Sequence, residues 1–134
     1  MNDVVLNKSQ IIERCIRRIQ EEYEGTFDNL LNYTKQDSII LNIQRACEAA
    51  IDLAMYVVAL KKIGVPQHSR DAFDLLYKDN LIDKQMRDAL SAMVGFRNIA
   101  VHNYQEVEIE IIQKIIEHHL ADIVAFKSKI VSLS

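Results

Sequence analysis

Glycine and proline are scarce in this chain, and their scarcity restricts the folds that it can adopt. Three glycines and one proline occur among 134 residues. A β-sandwich or a β-barrel reverses direction roughly every 8–12 residues and uses glycine at many of those turns, so both architectures are excluded. Hydrophobic residues make up 49% of the sequence, which is enough for a folded core. A chain of this length corresponds to one domain, expected to span residues 1–134.

Hydrophobic residues recur three and four positions apart along almost the whole sequence, which is typical of amphipathic α-helices. Helices are predicted at residues 4–23, from Thr34 to Lys62, at residues 70–79, from Asp83 into the segment GFRNIAVHNY, and at residues 106–131. Their connections are short, so the sequence predicts an all-α fold, an antiparallel helical bundle of four to five helices. Between the first two helices, three apolar residues are expected to pack against the bundle: Phe27, Leu30 and Leu31.

Polar residues and glycine indicate where the helices begin and end. Thr34 and Asp37 resemble a capping box that opens the second helix. Ser69 is expected to cap the third helix and Asp83 the fourth. Gly25 is expected to close the first helix.

Composition also excludes several classes of function. The longest uncharged stretch in the middle of the chain, Leu53 to Leu60, has eight residues, whereas a bilayer span needs about 20. No apolar run follows a basic start, so no secretory signal is predicted. Cys15 and Cys47 lie in apolar helical contexts and are expected to be buried free thiols in the reducing cytoplasm. The formal charge of −3 argues against non-specific nucleic-acid binding, so any RNA site must be local.

Most enzyme signatures are missing from the sequence. There is no glycine-rich phosphate loop, G-x-S-x-G, H-E-x-x-H or paired CxxC motif. His118 and His119 are adjacent and point about 100° apart on a helix, so they cannot chelate one ion together. With Glu117 and Asp122 nearby a metal site is conceivable, but polar helix residues are the simpler interpretation. His68 is expected to be exposed in a loop, and neither a metal nor a cofactor is predicted.

The segment RNIAVHNY, residues 97–104, carries the strongest chemical signal. Asn98 and His102 are four residues apart and share a helical face, whereas Arg97 is offset from His102 by about 140° in a continuous helix. Arg97 and His102 converge only if the helix ends near Val101 and His102 folds back, or if the two come from different copies of the chain.

Glycine and glutamate residues flank this segment. Gly95, four residues after Ser91, either lets another helix backbone approach closely or simply costs about 1 kcal/mol in the helix interior. Glu106, Glu108 and Glu110 place three carboxylates after the segment. They favour the positive N-terminus of the last helix, and they also fit a protein that meets only selected RNAs.

An arginine and a histidine together suit phosphate esters. Arginine offers a permanent charge and a planar fork for phosphate oxygens, and histidine can give or take a proton near neutral pH. Arg97 and His102 could therefore cleave RNA without a metal, one group deprotonating the ribose 2′-OH while the guanidinium stabilises charge on phosphorus. In the alternative interpretation Arg97 pairs with Glu48 or Asp52, and His102 only ends the helix.

The same residues resemble the HEPN superfamily of helical domains, specifically the HepT-like toxins of type VII toxin–antitoxin systems. That family is marked by R-x4-H-x-Y, and RNIAVHNY fits every fixed position. The likeness extends to IQRACEAAIDLA, GVPQHSRDAFDLL and LSAMVGFRNIAVHNY in the family's order, and so covers nearly the whole chain.

The resemblance implies a homodimer with a composite, metal-independent ribonuclease site and a cognate minimal nucleotidyltransferase antitoxin. Arg97 and His102 would be the catalytic pair, and Asn98 would position the phosphate or the histidine. Tyr104 matches the tyrosine that the antitoxin modifies with AMP, which would repel and obstruct RNA two residues from His102. Glu48 is a weaker candidate for orienting Arg97.

Two other functions remain open at this point. The cleft could hold nucleotide or RNA without cutting it, as a non-catalytic binding module. The chain could also serve as a structural partner of a nucleotidyltransferase, with its helix faces as the working surface.

Overall fold

The structure is a computed structural model that describes residues 2–133. Its α-helices are α1 (Asp3–Tyr23), α2 (Tyr33–Lys61), α3 (Ser69–Lys78), α4 (Lys84–His102), α5 (Ile109–Lys114) and α6 (Leu120–Ser132). A π-helical turn, Ile115–His119, joins α5 to α6, so the two form one last helix with an irregular middle. Short 3-10 helices occupy Phe27–Leu31 and Tyr104–Glu106. No strand occurs among residues 2–133, and the predicted all-α bundle is confirmed.

Helix α2 is the central element of the bundle, because it packs against α1, α3, α4 and α6. Its apolar stripe is buried as the periodicity predicts, at Ile39, Ile40, Ile43, Cys47, Ile51, Ala54, Val57 and Val58. Removing such a stripe from water is the main favourable contribution to folding. The fixed position of α2 therefore determines where α3 and α4 lie, and these two helices carry most of the site.

Two predicted helix caps are wrong, and one is confirmed. Asn32 caps α2, because its backbone is extended and its Oδ1 accepts the Lys35 N–H at 3.0 Å, so Thr34 lies inside the first turn. His68 is the extended residue before α3, which makes Ser69 the first helical residue. Asp83 caps α4 as expected, and its carboxylate accepts the Met86 N–H at 2.8 Å.

Asp71 fixes the entry into α3 in place of the expected serine cap. Its Oδ2 accepts the backbone N–H groups of Gln67 and His68 at 2.9 and 3.0 Å. These hydrogen bonds stabilise the charged form and hold the pKa of the Asp71 carboxyl below its usual value. The loop before α3 is therefore fastened to the helix.

The connection between α1 and α2 differs from the expectation at one residue. Helix α1 ends at Tyr23, followed by Glu24 and Gly25 with positive φ angles of 53° and 72°. In the following 3-10 helix Leu30 is buried, whereas Leu31 is 57% exposed and does not pack against the bundle. A 3-10 helix repeats every three residues, so Phe27 and Leu30 face the core together and Leu31 points away.

Both cysteines are free and buried, as expected. Burial raises the pKa of the Cys47 thiol to about 12, despite the nearby Arg97, and it raises the pKa of Cys15 as well. Thiols in this condition are poor nucleophiles and poor metal ligands. No helix within residues 2–133 is both long and apolar enough to cross a bilayer.

Phe73 tests the packing that holds α3 in place. Its ring meets the Phe126 ring of α6 edge to face, with centroids 5.5 Å apart, and it is fully buried. Phe73→Ala should lower the free energy of unfolding by about 3–5 kcal/mol in urea denaturation, because it removes apolar contacts and leaves a cavity. Tyr33→Ala is the control, since that ring is 80% exposed and should change stability by less than about 0.5 kcal/mol. Equal effects of the two substitutions would contradict this packing.

Candidate active site

A cleft of about 630 Å³ opens between the start of α3 and the C-terminal half of α4. Residues 67–71 form one wall, and the other sides come from Met55, Val94, Arg97 and Asn98. Two of the predicted site residues, Arg97 and Asn98, therefore lie in the same concave surface.

Neutral side chains hold the Arg97 guanidinium in this cleft. Its Nη2 donates to Ser69 Oγ at 3.2 Å, and its Nε donates to Asn98 Oδ1 at 3.0 Å. Glu48 is the only carboxylate near it among the described residues, with Oε2 3.8 Å from Nη1, which is beyond hydrogen-bond distance. A guanidinium has five N–H groups, so about three remain for a ligand.

The alternative pairing of Arg97 with an internal carboxylate holds only in part. Asp52 is wrong as a partner, because it forms an ion pair with Lys8 at 2.9 Å. Glu48 is confirmed as an ion-pair partner of Arg97, with Oε2 and Nη1 3.8 Å apart, but at this distance it accepts no hydrogen bond, so guanidinium N–H groups stay available to the cleft.

His102 lies away from the cleft within one chain. Helix α4 ends at His102, as the alternative interpretation expects, but His102 is itself helical and does not fold back toward Arg97. Continuity preserves the offset of about 140° from Arg97. The imidazole is exposed, does not line the cleft, and forms no hydrogen bond or ion pair with residues 2–133. Asn98 shares a face with His102 but bonds Arg97.

Tyr104 begins the 3-10 helix after α4 and reaches across to α2. Its hydroxyl donates a hydrogen bond to the Asp37 carboxylate. Desolvation of the hydroxyl and this negatively charged acceptor raise the pKa of Tyr104 to about 12. The Tyr104 side chain is 42% exposed, so its hydroxyl points toward Asp37 while the residue stays accessible to a partner. The sequence predicts a cap role for Asp37 and gives no sign of its contact with a residue 67 positions away.

The room beside Gly95 is filled by the chain itself. A Cβ at Gly95 would lie 2.7 Å from Nη2 of Arg70, and apart from its chain neighbours no other side chain in the described part of the chain comes within 4 Å of it. Arg70 also donates from Nε to the Ser91 carbonyl at 3.0 Å. Gly95 therefore accommodates a guanidinium from α3, and sequence reasoning missed Arg70.

The other polar candidates are separate from the cleft, except for His68. His68 is exposed in the loop wall of the cleft, as expected for a loop residue. His119 pairs with Asp122, with Nδ1 and Oδ2 3.2 Å apart. Within residues 2–133, no three His, Cys, Asp or Glu side chains converge as metal ligands. Glu110 lies in the first turn of α5, the position that favours an acidic side chain.

Comparisons with known proteins place this architecture in a defined class. The family model described as ribonuclease HepT-like matches residues 12–130. The mRNA nuclease HepT of Shewanella oneidensis is 48% identical over 126 residues, covering 94% of this chain and 95% of that protein. The chain belongs to the HepT-like ribonuclease family.

Solved structures agree with this assignment. A tri-AMPylated Shewanella oneidensis HEPN toxin in complex with an MNT antitoxin superposes with a TM-score of 0.93 at 47% identity, covering 98% of this chain and 99% of that one. A toxin–antitoxin structure with AMP-PNP superposes with a TM-score of 0.89 at 46% identity, covering 97% and 99%. The whole described bundle is thus shared with these proteins.

Asp37 should determine how firmly Tyr104 holds its proton. Asp37→Asn removes the negative charge beside the hydroxyl, so the pKa of Tyr104 should fall from about 12 toward its ordinary value. Ultraviolet titration of tyrosinate measures it, and subtracting a Tyr104→Phe titration isolates this ring.

Asp28→Asn is the matched control, because that exposed carboxylate lies in the 3-10 helix before α2 and is not among the groups that raise the pKa of Tyr104. An unchanged midpoint in Asp37→Asn would mean that Tyr104 and Asp37 do not bond in solution.

Proposed function

We propose that this protein is a metal-independent endoribonuclease toxin, active as a homodimer and silenced by AMP transfer from a cognate nucleotidyltransferase antitoxin. The observation that carries the proposal is the Arg97 guanidinium, fixed in an open cleft by Ser69 and Asn98 with N–H groups to spare. Membership of the HepT-like ribonuclease family and the 48% identity to an mRNA nuclease support the same activity. We place the toxin and its antitoxin in the cytoplasm, where RNA is available as a substrate.

Cleavage would proceed by internal transfer at one phosphodiester. The ribose 2′-oxygen attacks the adjacent phosphorus, the 5′-oxygen of the next nucleotide leaves, and a 2′,3′-cyclic phosphate forms. His102 moves a proton in this step, as base for the 2′-OH or as acid for the leaving oxygen, worth about 10²- to 10⁴-fold in rate. Arg97 stabilises the charge that develops on the phosphoryl oxygens. Asn98 holds the plane of the Arg97 guanidinium in place through its hydrogen bond to Nε.

A second copy of the chain would bring His102 to Arg97. The offset of about 140° prevents the two residues of one α4 from meeting over one phosphate. Apolar side chains around the segment are exposed in the single chain, at Ile99, Val101, Tyr104 and Ile111. Burying them against the same face of another protomer would form a two-fold interface and place each Arg97 opposite the partner's imidazole.

Tyr104 would be the residue that the antitoxin modifies. In the transfer the phenolic oxygen bonds the α-phosphorus of ATP, pyrophosphate leaves, and the phenolic proton needs an acceptor. Asp37 already accepts a hydrogen bond from that hydroxyl. The product carries a negative phosphate and a bulky base two residues from His102, which would repel and obstruct RNA.

Substitution of the catalytic pair tests the nuclease. Arg97→Ala and His102→Ala should each lower RNA cleavage by about 10²-fold or more, in buffer containing a chelator, while circular dichroism and the mass in solution stay unchanged. Arg17→Ala on α1 is the control, because it removes an equal charge from an exposed site outside the cleft. Cleavage by either variant at the wild-type rate would contradict the assignment.

Mixing the two inactive variants tests the shared site. A mixed dimer contains one intact pair, with Arg97 from one chain and His102 from the other, so reassociated protein should recover about a quarter of the wild-type rate. No recovery despite mixed-dimer formation would mean that each site lies within one chain. If the wild-type protein retards RNA on a gel but never shortens it, the result would favour the non-catalytic binding module.

Tyr104→Phe tests the modification. Coexpression with a cognate nucleotidyltransferase should add the mass of AMP to the wild-type peptide that contains Tyr104, and Tyr104→Phe should carry no adduct and remain toxic. Tyr33→Phe is the control, since that ring is more exposed and lies on another helix. An adduct that persists in Tyr104→Phe would move the modification to a different residue.

A further inference from the structure

Arg70 is a second cation in the cleft, and nothing in the proposed cleavage uses it. It neighbours Ser69, the residue whose hydroxyl holds Arg97, and both arginines line the same cavity. Arg70 has no carboxylate within ion-pair distance among residues 2–133. Asp71 also lines the cavity, but its carboxylate forms no ion pair with Arg70 among residues 2–133 and accepts the backbone N–H groups of Gln67 and His68. In a chain of net charge −3, the cleft is therefore lined by two arginines and one aspartate, a local excess of positive charge.

Gly95 provides the evidence that the position of Arg70 is built into the fold. Gly95 lies inside α4 without a positive φ, so its backbone conformation does not require glycine. Glycine there costs about 1 kcal/mol of helix stability relative to alanine. Among residues 2–133, and apart from the adjoining residues of α4, a Cβ would meet the Arg70 guanidinium alone, 2.7 Å from its position, and the Ser91 carbonyl one turn earlier accepts the Arg70 Nε–H. The missing side chain thus makes room for a charged group at the cleft.

We propose that Arg70, seated against Gly95 and the Ser91 carbonyl, binds the phosphate next to the one that Arg97 holds, so the cleft grips two successive phosphates of single-stranded RNA. This inference rests on the proposed nuclease function and adds a residue that sets substrate length. A phosphate that does not react is bound equally in the ground state and the transition state. Arg70 therefore contributes to KM and leaves kcat unchanged.

The direct test is the steady-state kinetics of Arg70→Gln on a single-stranded oligoribonucleotide. KM should rise about tenfold or more with kcat little changed, because a charge-assisted contact to phosphate is lost. On a dinucleoside monophosphate, which has one phosphate, the variant and the wild type should be equal. Arg70→Lys should recover part of the loss, since it restores the charge without the planar fork.

Gly95→Ala tests the position of Arg70 against α4 without substituting the arginine itself. The new methyl displaces the Arg70 guanidinium, so KM should rise, while the free energy of unfolding stays the same or increases through better helix propensity. Combining Gly95→Ala with Arg70→Gln should add little to Arg70→Gln alone, because both changes remove one contact. Additive losses would contradict this position of Arg70.

Salt dependence separates a phosphate contact from a structural role. In a His102→Ala background that binds without cutting, Arg70→Gln should make the slope of log affinity against log salt shallower by about 0.7, the value for one contact to a single strand. Arg17→Gln, with the same loss of charge outside the cleft, should leave the slope and KM unchanged. If Arg70→Gln and Arg17→Gln behave alike, the role proposed for Arg70 is overturned but the nuclease function is not. Wild-type protein that does not cut RNA would overturn the proposed function.

Discussion

The site depends on orienting one arginine through neutral hydrogen-bond acceptors, so that some of its N–H groups stay free for a ligand. A partly buried guanidinium needs hydrogen-bond acceptors. A carboxylate bonded directly to it would meet that need, but it would also weaken the attraction of the guanidinium for an anionic ligand. Ser69 and Asn98 meet the need with neutral oxygens, while Glu48 stays at 3.8 Å. The cleft can therefore present positive potential to a phosphate in a protein whose overall charge is negative.

That arrangement follows from how tightly α3 is docked on α2 and α4. Phe73 anchors α3 to the core, and Asp71 fastens the loop before it. Gly64 lies in this connection at a φ of 152°, and a Cβ there would lie 2.7 Å from Leu75, so the loop runs directly over the helix. With α3 fixed, Ser69 and Arg70 project toward α4 in one defined register.

Helix positions and caps differ in how well the sequence predicts them. The stripe on α2 is specified by a repeating pattern of many residues, so a single ambiguous position does not alter it. A cap depends on one hydrogen bond, and several polar side chains near each helix start compete for it. Asn32 and His68 occupy the cap positions in place of Thr34 and Ser69, because Asn32 and His68 have extended backbone angles whereas Thr34 and Ser69 are already helical. The prediction that Leu31 packs against the bundle is wrong because a 3-10 helix has a three-residue repeat, which turns Leu31 away from the core.

The helical class, the apolar faces and the R-x4-H-x-Y segment can be read from the amino-acid order, because they are properties of residues close together in the chain. Which groups meet that segment depends on how the helices pack in three dimensions. Ser69 reaches Arg97 across 28 residues, Arg70 reaches Ser91 across 21, and Asp37 reaches Tyr104 across 67. Such pairs are set by helix packing, and no local spacing encodes them. The same physics leaves His102 apart from Arg97 in one chain, since a continuous helix fixes their relative direction.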